Sequence, residues 1–462
     1  MKRLATLLMA LCLVLGSAVS ASAIEVQVSG LMDFVFGYNN NLGFGVNDDN
    51  ESAQERTMAR QRARIVVELI ASENLRGVFQ FQIGHAADWG VEGEGAMWDG
   101  EGGPDFQVRQ AYINYMLPNT DVRVKMGYQP VTLPYANQGN PMYDGIGGAV
   151  VVSAGLTEDA SLTAFWARPY SSGSQAQGAA AHSNMMDSFG LVFDYSSDVF
   201  SVSPWVMYTM IGQNSGFFTG DDSYVGDFVG DTGIAFEGDA DHYAFGVALK
   251  VMPTDALTIK FDGMYGSMSA DAATEDFEMK GYWFALGVDY AMDWGTPGFF
   301  AWYTSGDDAD DLTDNEFGRL PALAQDGGVW FSSFGFAGGM GAVMDGNLNG
   351  TGIGTMGLGL QIANMSFVEN LSHTVRALYW EGTNDDELLG AGKPGYGVRD
   401  GLYLTTKDSV YELNVNSYYN MYDNLTVGLE LGYMYLDVDS ASDYADQNED
   451  SYSAALVFRY GF

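Results

Sequence analysis

The sequence predicts an all-β fold, an antiparallel β-barrel that crosses a membrane on its strands. Three observations predict it. The chain opens on an export signal. Its body alternates apolar and polar residues over segments of about ten residues or more, the length a tilted strand needs to cross hydrocarbon. No segment after the signal makes a good spanning helix: Gly327 to Met344 lacks charge but is crowded with Gly and Ser. In hydrocarbon every backbone donor and acceptor needs a protein partner, and without helices only a closed sheet supplies them all.

The signal comes first. Lys2 and Arg3 form its positive n-region, Leu4 to Leu15 its apolar h-region, and Ala21-Ser22-Ala23 an A-x-A cleavage site. Export through the Sec pathway is expected, with a signal peptide over 1–23 and a barrel domain over 24–462. Cys12 follows Leu11 inside the h-region, too early and in the wrong context for a lipoprotein signal. It is the single cysteine, and it leaves with the signal. Disulfides, thiolate metal sites and cysteine nucleophiles are therefore excluded. The formal charge is −40, and loss of Lys2 and Arg3 makes the mature chain more acidic still. Such a surface repels phosphates, which excludes nucleic acid as a partner. Acidic chains poor in aromatics stay disordered, but here aromatics reach 14% and hydrophobic residues 47%. Acidic loops joined by aromatic strands give that balance, and no Pro- or Ser-rich linker divides the chain into domains.

The strands follow in order. Val26, Val28, Gly30, Met32, Phe34, Phe36 and Tyr38 share one face of the first, opposite Glu25, Gln27, Ser29, Leu31 and Asp33. Ala63, Ile65, Val67 and Leu69 alternate with Arg60, Arg62, Arg64, Val66 and Glu68. Leu75, Phe79, Phe81 and Ile83 alternate with Arg76, Gln80 and Gln82. Leu257, Ile259, Phe261 and Tyr265 oppose Thr258, Lys260 and Asp262; Tyr282 to Tyr290 and Leu425 to Tyr435 repeat the pattern. Helical spacing fits none of these segments. Connections alternate between short and long. The short ones are Ala71 to Asn74, Pro118 to Asp121, Thr157 to Ala160, Ser196 to Val199, Pro253 to Ala256, Asp293 to Pro297, Glu369-Asn370 and Tyr422 to Asn424. The long ones, such as Ala86 to Phe106, Gln213 to Ala240 and Asp307 to Thr355, are acidic and Gly-rich. Short periplasmic turns and long outer loops are the mark of an outer-membrane barrel. Tyr115, Tyr195, Tyr290, Trp294, Tyr418, Tyr419 and Tyr422 lie beside the short turns, as an interfacial girdle would. These turns predict 18 strands, or 16 if one fails, the weak stretches being Ala149 to Leu156 and Gly298 to Tyr303. Either size leaves an aqueous channel.

Basic residues concentrate between Arg56 and Lys125. Arg60, Arg62 and Arg64 share the polar face of one strand, Arg76 that of the next, and Arg123 and Lys125 oppose Val122, Val124 and Met126. A charge facing lipid at mid-membrane costs about 2–4 kcal/mol, so these side chains are expected to line the lumen as a fixed positive wall. Arg109 has outward parity if Ile113, Tyr115 and Leu117 face lipid, unless a bulge intervenes. Trp166 and Arg168 share a face and are candidates for solute contact. Acidic runs such as Asp307 to Asp311 and Asp221-Asp222 could bind divalent cations weakly, although solvated loops explain them too. Otherwise no cofactor or metal is expected. His85, His182, His242 and His373 have no metal-ligand spacing, and no nucleophile has a recognisable His and acid beside it, so an enzyme is not expected.

The Arg-rich second strand, the R-x-A-Y of Arg109 to Tyr112, the VKMGYQP of Val124 to Pro130 and the terminal Phe462 resemble general trimeric porins. In particular they resemble the outer-membrane homotrimeric porins of sulfate-reducing bacteria, over essentially the whole mature chain. The resemblance implies a homotrimer in which the third outer loop, here Pro130 to Gly148, folds inward opposite the basic cluster. Tyr135, Asn137, Tyr143 and Asp144 would then face the arginines. Porin constriction loops are commonly rich in acids, and this one offers only Asp144, which leaves the narrowest region net positive. Tyr460 and Phe462 resemble the signal read by the barrel-assembly machinery, and that machinery, lipid and lipopolysaccharide are the partners expected. The expectation is passive diffusion of small hydrophilic solutes and ions. The alternatives are a channel specific for oligosaccharides or small organic anions, and a non-conducting structural or adhesive barrel plugged by a loop such as 307–355.

Overall fold

A computed structural model of the chain describes residues 24–40, 56–84, 89, 106–137, 139–172, 181–218, 234, 236–273, 276–309, 315–323, 353–387, 404–437 and 449–462. The expected signal, Asp221, Asp222, Asp310 and Asp311 lie outside these residues. The strands begin with β1 (Glu25–Asn40), β2 (Arg56–Ser72), β3 (Leu75–Ile83), β4 (Phe106–Met116), β5 (Val122–Thr132) and β6 (Asp144–Gly155). They continue with β7 (Ala160–Ser171), β8 (Met185–Ser196), β9 (Phe200–Ile211), β10 (Phe236–Val251), β11 (Leu257–Ala272), β12 (Phe277–Tyr290) and β13 (Thr296–Thr304). The series ends with β14 (Glu316–Phe317), β15 (Thr355–Val368), β16 (Leu371–Gly382), β17 (Ser409–Tyr422), β18 (Leu425–Asp437) and β19 (Glu449–Gly461).

Sequential wall strands pair antiparallel, and β1 closes the ring on β19 from Leu31↔Gly461 to Asn40↔Tyr452. β14 is a two-residue loop segment that pairs in parallel with the upper end of β12, so eighteen strands form the wall. The expected short turns all join wall strands, and both weak stretches fall on strands, β6 and β13. That decides eighteen over sixteen. At the seam the Phe462 N–H donates to the Gly30 carbonyl at 3.0 Å and the Gly30 N–H to the Phe462 carbonyl at 2.8 Å. The Tyr460 and Phe462 rings stack outside, 5.9 Å apart.

The alternation sorts the wall by solvent. Val26, Val28, Phe36 and Tyr38 of β1 are exposed on the outer face, where hydrocarbon would cover them, while Asp33, Val35 and Asn39 are buried on the inner one. Tyr290, Trp294, Tyr419 and Tyr422 are exposed beside the short turns, as a girdle requires. Tyr418 is a correction. Leu413 and Tyr419 point outward, so period two turns Tyr418 to the lumen, where its hydroxyl donates to Glu430 Oε1 at 2.6 Å.

Close backbone approach and a positive φ together fix Gly127. Gly127 has φ of 134°, and a Cβ there would run into the Ala111 carbonyl and Tyr112 Cα of the neighbouring strand. Gly127→Ala is expected to destabilise the barrel by about 1–3 kcal/mol, read as a lower temperature for the folded-to-unfolded band shift on detergent gels.

The main apolar cluster lies inside the barrel, not between sheets. Val151, Phe165, Val192, Trp205, Met207 and Ala244 line the inner face of β6 to β10, and Leu133, Met142, Tyr143, Leu320 and Leu323 come down from loops to meet them. One sector of the lumen is therefore dry, and the remaining wall is polar.

Candidate functional site

The polar wall is built around a basic arc. β2 turns Arg60, Arg62 and Arg64 inward in successive inner positions, as its alternation dictates. Arg62 Nη2 lies 3.2 Å from Asp33 Oδ2 on β1. The same carboxylate takes Arg459 of β19, Nε to Oδ1 at 2.6 Å and Nη2 to Oδ2 at 3.1 Å. Arg64 Nε donates to Gln82 Oε1 at 2.9 Å, and Arg109 Nη1 to the same oxygen at 3.1 Å. Arg76 pairs with Glu68 at 3.2 Å, Arg123 donates to Asn114 Oδ1 at 3.2 Å, and Lys125 sits 5.1 Å above the Tyr112 ring. Arg64 feels the like charges of Arg62, Arg109 and Arg459 together. Concentrating them stores repulsion, which water in the lumen screens and hydrocarbon would not.

Arg109 reaches this arc through a defect in the ladder. Gln80 pairs with Gln110 but Phe81 pairs with Val108, so β4 carries one extra residue, Arg109. Below this bulge Tyr112 and Asn114 face inward; above it Phe106 and Val108 face outward and are exposed. The bulge reverses parity and brings Arg109 inside. Arg459 and Asp33 complete the arc; alternation puts Asp33 on the polar face of β1, but neither is singled out as a site residue by the sequence. Their signal was present: each takes the polar position between outward aromatics or apolar residues, Met32 and Phe34 for Asp33, Phe458 and Tyr460 for Arg459.

Across the lumen stands the loop between β5 and β6. Leu133 N–H donates to the Tyr143 carbonyl at 3.0 Å and closes its base. Asn140 folds the loop on itself, with Nδ2 donating to the Pro134 carbonyl and Oδ1 accepting from Met142 N–H, each at 2.9 Å. The loop does turn inward, but its residues are distributed otherwise than expected. Asn137 is bound to Asp262 of β11 rather than free to face arginines. Tyr143 is buried with its ring 6.0 Å from Phe165. Asp144 begins β6 on the outward parity of Val150 and Val152, and accepts from Thr132 Oγ1 at 2.5 Å. Tyr135 stays exposed, at 49%, and Asp144 is exposed on the outer face.

A second loop segment, residues 318–323, lies on the inner face of β10 to β12. Leu323 N–H donates to the Met142 carbonyl of the first loop at 3.0 Å. His242 Nε2 lies 3.0 Å from the Pro321 carbonyl, so that nitrogen carries the proton and donates. Arg319 Nε pairs with Asp307 Oδ2 at 2.5 Å, both side chains buried, and its N–H donates to Oδ1 at 3.0 Å. Asp307 is thereby committed to Arg319. Among the described residues, no group of three or more His, Cys, Asp or Glu is placed to hold a metal ion.

Trp166 and Arg168 do share a face, but it is the outer one. Trp166 pairs in register with Phe189, which is exposed outward, while Phe165 and Ala167 point into the dry sector. Asp187 holds both: Trp166 Nε1 donates to Oδ1 at 2.9 Å, and Arg168 donates to each oxygen at 2.8 Å. They are not placed to meet a solute in the lumen. Trp302 is buried and donates to Thr355 Oγ1, and Trp89 packs edge-on against outward Phe36 at 5.5 Å.

The rest of the inner wall carries a mixed-charge belt. Lys260 pairs with Asp289, Gln361 bridges Asp289 and Arg376, and Glu430 takes Tyr418. An eighteen-strand antiparallel barrel with an apolar outside, a polar inner wall and inward-folded loops is an outer-membrane porin. The chain belongs to the Campylobacter major outer membrane protein family, whose model matches residues 14–313. Among solved structures it is similar to Pseudomonas aeruginosa OprD, at 12% identity and TM-score 0.55 over 95% of this chain and 94% of that one. It is also similar to Pseudomonas aeruginosa OpdK with vanillate (11%, TM-score 0.52, 95% and 98%) and to OpdL of the same organism (10%, TM-score 0.51, 95% and 99%). A search of curated proteins found no match. The porin reading and the outer-membrane location thus agree with the motifs, while the family shown is the Campylobacter one.

Proposed function

We propose that the chain passes small hydrophilic solutes and ions by passive diffusion, through a bore bounded on one side by the basic arc and on the other by the loop 133–143. The carrying observation is the division of the inner face. Arg60, Arg62, Arg64, Arg76, Arg109, Arg123, Lys125 and Arg459 lie on one stretch of wall, and the loop rests on β11, nine strands around from β2 in a ring of eighteen. The arc supplies cationic surface at the narrow part, and the acidic outer loops enrich cations at the mouth. These fields oppose each other, so weak selectivity is expected, with small anions tolerated better than a charge of −40 suggests. The purified protein in planar bilayers should give discrete conductance steps that rise linearly with salt, and liposomes carrying it should swell in small sugars at rates linear in concentration. Absence of steps would favour a plugged, structural barrel.

A second reading has one observation in its favour. OpdK was solved with vanillate, an aromatic carboxylate, and a bore with a basic arc on its wall and an exposed Tyr135 on its loop suits an anion with an aromatic ring. Flux of benzoate-like anions that saturates and blocks conductance would move the assignment to a substrate-specific channel. The signal over 1–23 supports Sec export, the outward Tyr460–Phe462 pair supports recognition by the assembly machinery, and the motif resemblance supports a homotrimer of the sulfate-reducer kind. The acidic composition of the long connections suits weak divalent-cation binding.

A further inference from the structure

The loop 133–143 divides the lumen as a chord. It leaves the wall between β5 and β6 and reaches β11 and β12, where Met142 meets Gly266 and Asn137 meets Gly287. On one side of the chord β6 to β10 close against it with Phe165, Trp205 and Met207; on the other lies the polar wall. Its far end is held by one carboxylate. Asp262 is 1% exposed, its Oδ1 accepts from Ala136 N–H at 2.7 Å, and its Oδ2 accepts from Asn137 N–H at 2.8 Å and Asn137 Nδ2 at 2.9 Å. Lys260, on the same face of β11, is engaged by Asp289. Three donors converging on a buried carboxylate make a strong, directional attachment. The seat is shaped as well: a Cβ on Gly287 would run into Asn137 Oδ1.

We propose that Asp262 is the positioning residue that sets the bore, by clasping Asn137 against Gly287 and keeping the sector behind the loop shut. The proposal rests on the channel reading above. Released from Asp262, the loop tip would leave the far wall and the bore would widen toward β6 to β10.

Asp262→Ala removes both acceptor oxygens and with them all three hydrogen bonds, Gly287→Ala displaces Asn137 without touching a charge, and Asn137→Pro removes two of the three donors from the loop side. With folding confirmed by heat-modifiable gel migration, each is expected to raise unit conductance roughly 1.5-fold and to admit neutral polymers that the parent excludes. Asp262→Asn, which keeps one acceptor, should fall between. A role limited to lumen charge would shift only the reversal potential of Asp262→Ala and leave Gly287→Ala unchanged, which would overturn the proposal. So would parental conductance and exclusion limit in the folded variants. If a wall variant fails to fold, Asn137→Pro decides, since it takes the 137 N–H and the amide side chain from Asp262 and leaves the barrel wall untouched. A parent that carries no current would overturn the channel reading itself, and the clasp with it.

Discussion

Replacing Arg60, Arg62 and Arg64 together by Gln is expected to move the zero-current potential toward cation preference and to cut the anion-to-cation permeability ratio about tenfold. At about 7 Å in water-like dielectric, one fixed charge is worth about 0.6 kcal/mol to a passing ion and three about 1.8 kcal/mol. Screening at physiological salt leaves about 0.7 kcal/mol, which acts with opposite sign on anion and cation and so gives about tenfold in the ratio. The effect should be largest at low salt and fade as the Debye length shrinks below the bore. The barrel should survive the change, because Asp33 keeps Arg459 when Arg62 is lost. Reversal potentials across a salt gradient measure the ratio. A parent already strongly cation-selective, and unmoved by the substitution, would remove the arc from the ion path.

The second large effect concerns the seam. Asp33 is fully buried and holds Arg62 on one neighbouring strand and Arg459 on the other, across the pairings that close the ring. Asp33→Ala leaves two guanidiniums facing each other without their common counter-ion. Breaking a buried pair from one side costs about 3–5 kcal/mol, and access of lumen water to Arg459 reduces this to about 2–4 kcal/mol. The folded-to-unfolded transition in detergent should move to clearly lower denaturant, and Asp33→Asn, which retains an acceptor, should move it less. An unchanged midpoint for Asp33→Ala would show that backbone pairing alone holds the seam.

The parts of this architecture legible in the sequence are those that lipid enforces. Val26 to Tyr38 and Leu425 to Tyr435 face hydrocarbon on one side and water on the other, so chemistry alternates with the pleat, and the Arg60, Arg62 and Arg64 ladder follows from parity alone. The signal weakens where the inner face is also dry. In β7 Phe165 and Trp166 are both aromatic, because Phe165 packs under the loop while Trp166 faces out, and nothing in the alternation tells the two faces apart. Parity alone therefore does not say whether Trp166 and Arg168 meet lumen or lipid. Arg109 needed a bulge, which adds one residue without a local sequence mark. Asp262 lies 125 residues from the Asn137 it holds, a contact created by a loop crossing a ring. The inward loop itself came from family resemblance, and the resemblance did not carry the directions of its side chains.

The central claim is that neighbouring residues of one strand meet different media. The single cysteine, Cys12, lies in the expected signal, so the barrel offers a thiol-free background. Single cysteines at Arg62, Ala63, Arg64 and Ile65 of β2, exposed in bilayers to a membrane-impermeant thiol reagent, separate the faces directly. Cysteines at 62 and 64 should react and lower conductance in steps, while those at 63 and 65 stay silent. Equal reaction at all four positions, or reaction at 63 and 65 alone, would contradict a wet bore lined by the arginines.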